Sequence, residues 1–191
     1  MSQEYSNHLQ GPHRLVLLDR DGVINHDSED YIKNISEWSP IDGSIAAIVK
    51  LQLQNIKVAV CTNQSGLARG LFKTTDLLPI HEECNLMLKK AGGQSIKFFF
   101  CPHHPSDDCN CRKPKPGLLQ AAMDDFAIEN RETIFLGDST SDWHASKACK
   151  VDFALMMTGN GKKTLEELNL TGLNGIKCHL NLAQYADSLN F

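Results

Sequence analysis

The stretch Leu15-Val16-Leu17-Leu18-Asp19-Arg20-Asp21-Gly22-Val23-Ile24-Asn25 decides how this chain folds. Four consecutive apolar residues, Leu15 to Leu18, end abruptly in two carboxylates and a glycine. A short apolar run closed by turn residues reads as a β-strand buried on both faces. Such strands belong to parallel sheets, whose ligand crevice lies at the carboxyl ends of the strands. Asp19 and Asp21 would stand in that crevice. Burying them uncompensated is costly, so a cation should face them. One carboxylate can attack as a nucleophile while its neighbour moves a proton. A solvated Asp-Gly turn is the plain alternative.

Outward from this stretch the chain alternates strand and helix signals. Asp42-Gly43-Ser44 offers a helix start, and Ile45, Ile48, Val49 and Leu53 fall on one helical face. Val58 to Cys61 reads as a second buried strand. Thr74 or Thr75 can cap a helix carrying Ile80, Cys84, Leu88 and Ala91, which Gly92-Gly93 stops. Pro79 predicts an irregular first turn there. Ile96 to Cys101 is a third strand, and Leu118, Leu119, Ala122, Met123 and Phe126 mark an amphipathic helix. Thr133 to Leu136 is a fourth strand, with a short helix from about Asp142. Phe153 to Met157 is a fifth strand and Ile176 to Leu180 a weak sixth. This alternation predicts an α/β fold: a doubly wound parallel sheet with right-handed crossovers. Residues 1–12 are polar and read as a flexible arm, and residues 13–191 as one domain. His26 to Pro40 reads as a loop over the site, with Trp38 packing it onto the sheet. The loops after the first two strands look too short to carry a large cap domain.

Bulk properties exclude several function classes. The chain has 191 residues and a formal net charge of −4, with no Lys/Arg run to suggest nucleic-acid binding. No apolar run approaches membrane-spanning length, and the N-terminus lacks the apolar segment of a secretion signal. A cytoplasmic protein is expected. Seven cysteines, an odd number, argue against a disulfide framework.

Three strands end in functional side chains: Asp19 and Asp21; then Thr62, Asn63, Gln64 and Ser65; then Asp138, with Asp142 one turn later. Another loop supplies Arg112 and Lys113. Oxygen-only ligands with room for water and phosphate suit Mg²⁺, and a lysine there would neutralise phosphoryl charge. Asp19-x-Asp21, Thr62 after an apolar strand, Lys113 and Gly137-Asp138-x-x-x-Asp142 resemble the four ordered motifs of the haloacid dehalogenase superfamily. The resemblance spans Leu15 to about Leu155. It implies that Asp19 forms an aspartyl-phosphate and that Asp21 protonates the leaving alkoxide, then activates water. Thr62 and Lys113 would hold the phosphoryl oxygens. Mg²⁺ would sit on Asp19, the Asp21 carbonyl and Asp138, with Asp142 behind them orienting Lys113. A helix cap with an acidic first turn is the plain reading of Asp138 and Asp142.

The loop 101–111 adds a second metal signal. Cys101, His103, Cys109 and Cys111 form a Cys₃His set suited to closed tetrahedral zinc, which leaves no position for substrate and is therefore structural. His104 is the rival imidazole; Cys-x-His mirrors Cys-x-Cys and favours His103. A redox thiol pair is the alternative. Arg112 and Lys113 follow directly, so zinc would clamp both cations over the site.

Within the superfamily the chain resembles two zinc-loop groups, the D-glycero-D-manno-heptose 1,7-bisphosphate 7-phosphatases and the histidinol-phosphate phosphatases. Thr62 to Gly70 and Lys115-Pro116-Gly117 lean toward the heptose group, which serves ADP- or GDP-heptose supply for surface polysaccharide. This resemblance implies substrate contacts from Asn25, Asp27, Tyr31, Asn63, Gln64, Ser65, Arg69 and Arg112, with Arg112 on the sugar or its second phosphate. Arg69 reads equally as a solvated helix-end charge. One departure stands out: Ser28-Glu29-Asp30-Tyr31 carries an extra residue, with Asp30 where the group has glycine. The expected partner is a small-molecule sugar phosphate, with no nucleic acid and no membrane, handled by a monomer. A non-catalytic sugar-phosphate binder is the rival class, disfavoured because a binder needs no nucleophile.

Overall fold

Strand β1 (Leu15–Leu18) is wholly buried and lies at the centre of the sheet. It pairs in parallel on one side with β2 (Lys57–Asn63) and on the other with β4 (Thr133–Gly137). Beyond β2 lies β3 (Lys97–Cys101); beyond β4 lie β5 (Asp152–Met156) and β6 (Lys177–His179). The order is β3-β2-β1-β4-β5-β6, and every pairing is parallel. The computed structural model describes residues 13–172 and 175–189. The arm expected over residues 1–12 lies outside the described residues.

The period-2 alternation of strand side chains divides the core into two layers. Val16, Leu18, Val58, Val60, Ile134 and Leu136 pack under helices α1 (Ser44–Leu53), α2 (Thr74–Lys90) and α6 (Leu182–Ser188). Leu15, Leu17, Ala59, Cys61, Phe135 and Leu155 pack under α3 (Gly117–Phe126) and α4 (Thr140–Cys149). Helix α5 (Gly161–Leu170) lies against β5 and α4. This is the expected doubly wound sheet. Trp38 joins the first layer, as its packing role required.

Local details differ from the sequence reading for identifiable reasons. The buried face of α1 is Ser44, Ala47, Ile48, Val49 and Leu51, whereas Leu53 is 72 % exposed. Leu51 carries the stripe one turn past Ala47 and Ile48, so Leu53 rotates into solvent. Helix α2 is capped at Lys73, whose N–H donates to the Asp76 carboxylate at 2.8 Å; Thr74 and Thr75 lie inside the first turn. Pro79 sits within a continuous helix. Its missing N–H frees only the carbonyl of exposed Thr75, which water can satisfy.

The register explains the site. Leu18 is level with both Val60 and Leu136. Asp19, one residue on, and Thr62 and Asp138, each two residues on, therefore emerge close together at the carboxyl edge of the three central strands.

Candidate active site

Lys113 is the pivot of this edge. Its side chain is 1 % exposed, and Nζ lies 2.9 Å from Asp19 Oδ1 and 2.6 Å from Asp142 Oδ1. These contacts are ion pairs rather than aligned hydrogen bonds. Burial lowers the lysine pKa, but Asp142 and Asp19 outweigh it and push it up, so the ammonium stays charged. Its backbone is held from β2: Lys113 N–H donates to Asn63 Oδ1 at 3.1 Å, and Asn63 Nδ2 donates back to the Lys113 carbonyl at 3.0 Å.

Oxygens of Asp19, Asp138 and Asp142 lie within 4.8 Å of one another. Asp19 Oδ1 also accepts the Arg20 N–H at 2.7 Å, which leaves Oδ2 free of hydrogen bonds among the described residues. Asp142 is fully used. Its Oδ2 accepts from the N–H of Asp138 and from the N–H and hydroxyl of Ser139, while Oδ1 faces Lys113. Ser139 also caps α4 with Asp142 at the third helical position. The cap and the site are therefore one arrangement, not alternatives. The Asp138 carboxylate is closely wrapped: a Cβ at Gly22 would lie 2.3 Å from its Oδ2 and one at Gly159 2.2 Å, and both glycines have positive φ.

Three carboxylates against one ammonium leave buried negative charge. Burial, the Asp142 and Asp21 charges push the Asp19 carboxyl up to about 7 despite Lys113. Burial with the Asp142 and Asp19 charges pushes Asp138 up to about 8. An oxygen-lined site with excess negative charge fits a divalent cation such as Mg²⁺. In the metal-free protein both carboxyls hold protons to higher pH folded than unfolded. Their contribution to stability is present at acidic pH and is lost as pH rises from about 4 towards 8. Metal-free protein should therefore melt several degrees lower at pH 8 than at pH 5. Mg²⁺ should raise the melting temperature more at pH 8, where the ligands are ionised. Equal Mg²⁺ shifts at both pH values, by scanning calorimetry, would contradict this.

Asp21 is set apart by Arg20, which the sequence reading passed over. Arg20 is only 2 % exposed, and its Nε and Nη2 both donate to the Asp21 carboxylate at 2.9–3.0 Å. Asn25 Nδ2 and Gln64 Nε2 add donors at 2.9 and 3.0 Å. Burial raises the Asp21 pKa, but Arg20 and these donors prevail and hold the carboxyl below its usual range. Asp21 is thus held as the carboxylate in the resting site.

The remaining site residues fall into two groups. Asn25 and Gln64 are buried braces, as is Thr62, whose Oγ1 accepts from Gln64 Nε2 at 2.9 Å. Asn63 has both ends of its amide on the Lys113 backbone, and Ser65 is buried. Asn25, Asn63 and Gln64 thereby hold other site residues in place. Asp27 and Arg69 are exposed. Arg112 Nη1 is buried with no partner among the described residues, a donor available to an anion. Tyr31 is half-buried; its N–H closes a turn on the Ser28 carbonyl, and its φ of 63° lies in the left-handed region. A cavity of about 310 Å³ opens beside Asp138, lined by His26, Asp27, Ser28, Glu29, Thr158 and Asn160, among others.

The loop 101–111 brings Cys101, His103, Cys109 and Cys111 together. The sulfurs are 3.3–3.6 Å apart, and His103 Nδ1 lies 3.2 Å from Cys111 Sγ and 3.6 Å from Cys101 Sγ. A tetrahedral ion with bonds of about 2.3 Å to sulfur spaces its ligands at about 3.8 Å, so the set fits zinc. His104 is engaged elsewhere: its Nδ1 is 2.7 Å from Ser106 Oγ.

Residues 15–158 match the family described as Polynucleotide kinase 3 phosphatase. The chain is 43 % identical over 154 residues to D-glycero-beta-D-manno-heptose-1,7-bisphosphate 7-phosphatase of Neisseria meningitidis, covering 81 % of this chain and 82 % of that protein. It is 39 % identical over 176 residues to the Bordetella bronchiseptica protein of the same name, covering 92 % and 97 %. The chain belongs to the heptose-1,7-bisphosphate 7-phosphatase family. The Bordetella family member, described as complexed with magnesium and phosphate, superposes with a TM-score of 0.87. A haloacid dehalogenase superfamily hydrolase of Geobacter sulfurreducens, 17 % identical, shares the fold with a TM-score of 0.61 and covers 93 % of this chain and 100 % of its own. The superfamily resemblance drawn from Asp19, Thr62, Lys113 and Asp138 is borne out by this fold and this family.

Proposed function

We propose that residues 13–191 act as a single Mg²⁺-dependent phosphatase domain that removes the 7-phosphate of D-glycero-D-manno-heptose 1,7-bisphosphate. The observation that carries this reading is Asp19, held between Lys113 and Arg20 with Oδ2 free, in a chain 39 % identical over 92 % of its length to a heptose bisphosphate phosphatase. In the first step Asp19 Oδ2 bonds to phosphorus and the P–O bond to the sugar breaks. Asp21, which takes up a proton from solvent as the substrate binds, delivers that proton to the departing alkoxide. Its tie to Arg20 keeps it ionised at rest, and the arriving phosphoryl charge raises its proton affinity. In the second step Asp21 takes a proton from water, which attacks phosphorus and frees Asp19 and inorganic phosphate. Lys113 and Thr62 face the phosphoryl oxygens. Asp19, Asp138 and the Asp21 carbonyl would hold Mg²⁺, which would supply positive charge to offset the negative charge of the phosphoryl group.

Arg112 and its unpaired Nη1 suit the second phosphate of a bisphosphate. The exposed acids Asp27, Glu29 and Asp30, with the net charge of −4, disfavour a polynucleotide substrate. Among the described residues no helix is long and apolar enough to cross a membrane. The reading extends to a cytoplasmic monomer supplying heptose for surface polysaccharide. The test is phosphate release with Mg²⁺ from both anomers of heptose 1,7-bisphosphate, histidinol phosphate and a 3′-phosphorylated oligonucleotide. Turnover mainly on one bisphosphate anomer is expected. Turnover mainly on histidinol phosphate or on the oligonucleotide would overturn the sugar assignment and keep the chemistry.

A further inference from the structure

The sequence assigns no chemistry to residues beyond 158, yet the β5–α5 loop wraps the site. Thr158 Oγ1 donates to the Gly22 carbonyl at 2.6 Å, and Thr164 Oγ1 donates to the Asp138 carbonyl at 2.7 Å. Asn160 reaches furthest. Its backbone N–H donates to Asp138 Oδ2 at 2.7 Å. Its side-chain Nδ2 lies 3.2 Å from that oxygen and 3.1 Å from Asp27 Oδ2. The bonded pair of Asn160 and Asp27 forms part of the lining of the 310 Å³ cavity.

We propose that Asn160 is a specificity-determining residue that fastens Asp27 and so shapes the cavity for the polyol part of the substrate. The proposal rests on the phosphatase reading above and deepens it. The cavity chemistry supports a polyol rather than a second phosphate. Asp27 and Glu29 line it, and carboxylates accept hydrogen bonds from hydroxyls but repel phosphate. Asp27 is exposed, on a loop with no strand or helix to fix it, so one amide bridge to the rigid Asp138 shoulder matters to its direction. The Asn160 backbone N–H grips Asp138 in any variant. The side chain is therefore the part left to act on Asp27.

The test compares kcat/KM for heptose 1,7-bisphosphate with that for p-nitrophenyl phosphate, which lacks the polyol, in full-length protein with Mg²⁺. Asn160→Ala should lower the ratio of the two about fivefold, the loss of one hydrogen bond to a partly exposed charged group. Asp27→Ala should lower it similarly. The double variant should fall no further than the worse single one, because the two side chains act as a unit. An unchanged ratio in Asn160→Ala would overturn the proposal, as would equal losses on both substrates, which would put the role on Asp138 and the metal. Additive losses in the double variant would also overturn it. Failure of wild-type protein on the bisphosphate would instead overturn the functional reading itself.

Discussion

Asp19→Asn should abolish phosphate release, by about 10³-fold or more, while leaving a protein that folds more stably without metal. The two effects come from the same geometry. Asp19 is the group with a free oxygen at the edge where Lys113 can balance an incoming phosphoryl group. An amide has no charge to drive attack and cannot form the covalent intermediate. Yet in the metal-free fold the same carboxylate is a liability: burial and two neighbouring acids raise its pKa to about 7. Asparagine removes that buried charge while keeping the shape, so the melting temperature of metal-free Asp19→Asn at pH 8 should exceed that of the wild type. Activity and stability trade against each other at a site built for reaction. Turnover retained in the variant would remove Asp19 from the mechanism. A lower melting temperature would mean that the Lys113 pair outweighs the repulsion from Asp142.

The sequence made the scaffold legible because strands and their acids sit in register. Leu15 to Leu18 are buried on both faces, and an apolar run of that kind has one interpretation in an alternating chain. The ordered acids and lysine were equally legible, since each closes a strand or follows the cysteine loop. Direction was not. Asn25, Asn63 and Gln64 carry the atoms a sugar phosphate needs, but the structure turns them onto Asp21 and Lys113. Residue type specifies donors and acceptors; only packing decides where they point. Arg20 was missed for the opposite reason. An arginine between two aspartates reads as a solvated neighbour, and its burial depends on tertiary packing around β1. Asn160 lies in Thr158-Gly159-Asn160-Gly161, which reads as an ordinary turn. The signal that could have marked it is the paired glycines: Gly159 and Gly161 both lie where a Cβ would collide, with Asp138 and with the Met156 carbonyl. Leu53 misled because a helical stripe one position out of phase scores nearly as well until the end of the helix fixes it.

Stripping zinc should lower kcat about tenfold or more through Lys113, not through loss of a catalytic metal. The chain of contacts is short. Cys111 is two residues from Lys113. The four ligands pin Cys101, at the end of β3, to Cys109 and Cys111 across the loop. Lys115 Nζ pairs with Asp108 at 2.6 Å, and the Gly117 N–H donates to the Asn110 carbonyl, so the loop folds back onto the start of α3. Beyond these ties the Asn63 amide alone, among the described residues, holds the Lys113 backbone from β2. Without the ion, three thiols and an imidazole at contact distance have no reason to stay together, and the loop gains entropy by opening. The Lys113 ammonium must then be found by search rather than held in place. Purified protein should carry about one zinc per chain, since the set offers four ligands and no open position. Cys109→Ser should lose the zinc and the activity together, and added Mg²⁺ should not restore the rate. Limited proteolysis should cut the zinc-free form within 101–113 before the sheet. The deciding comparison is made in a Lys113→Ala background. There zinc loss should cost little more, because the residue through which it acts is already gone. A full further loss in that background would mean that zinc acts on the site by another route, with Arg112 next in line.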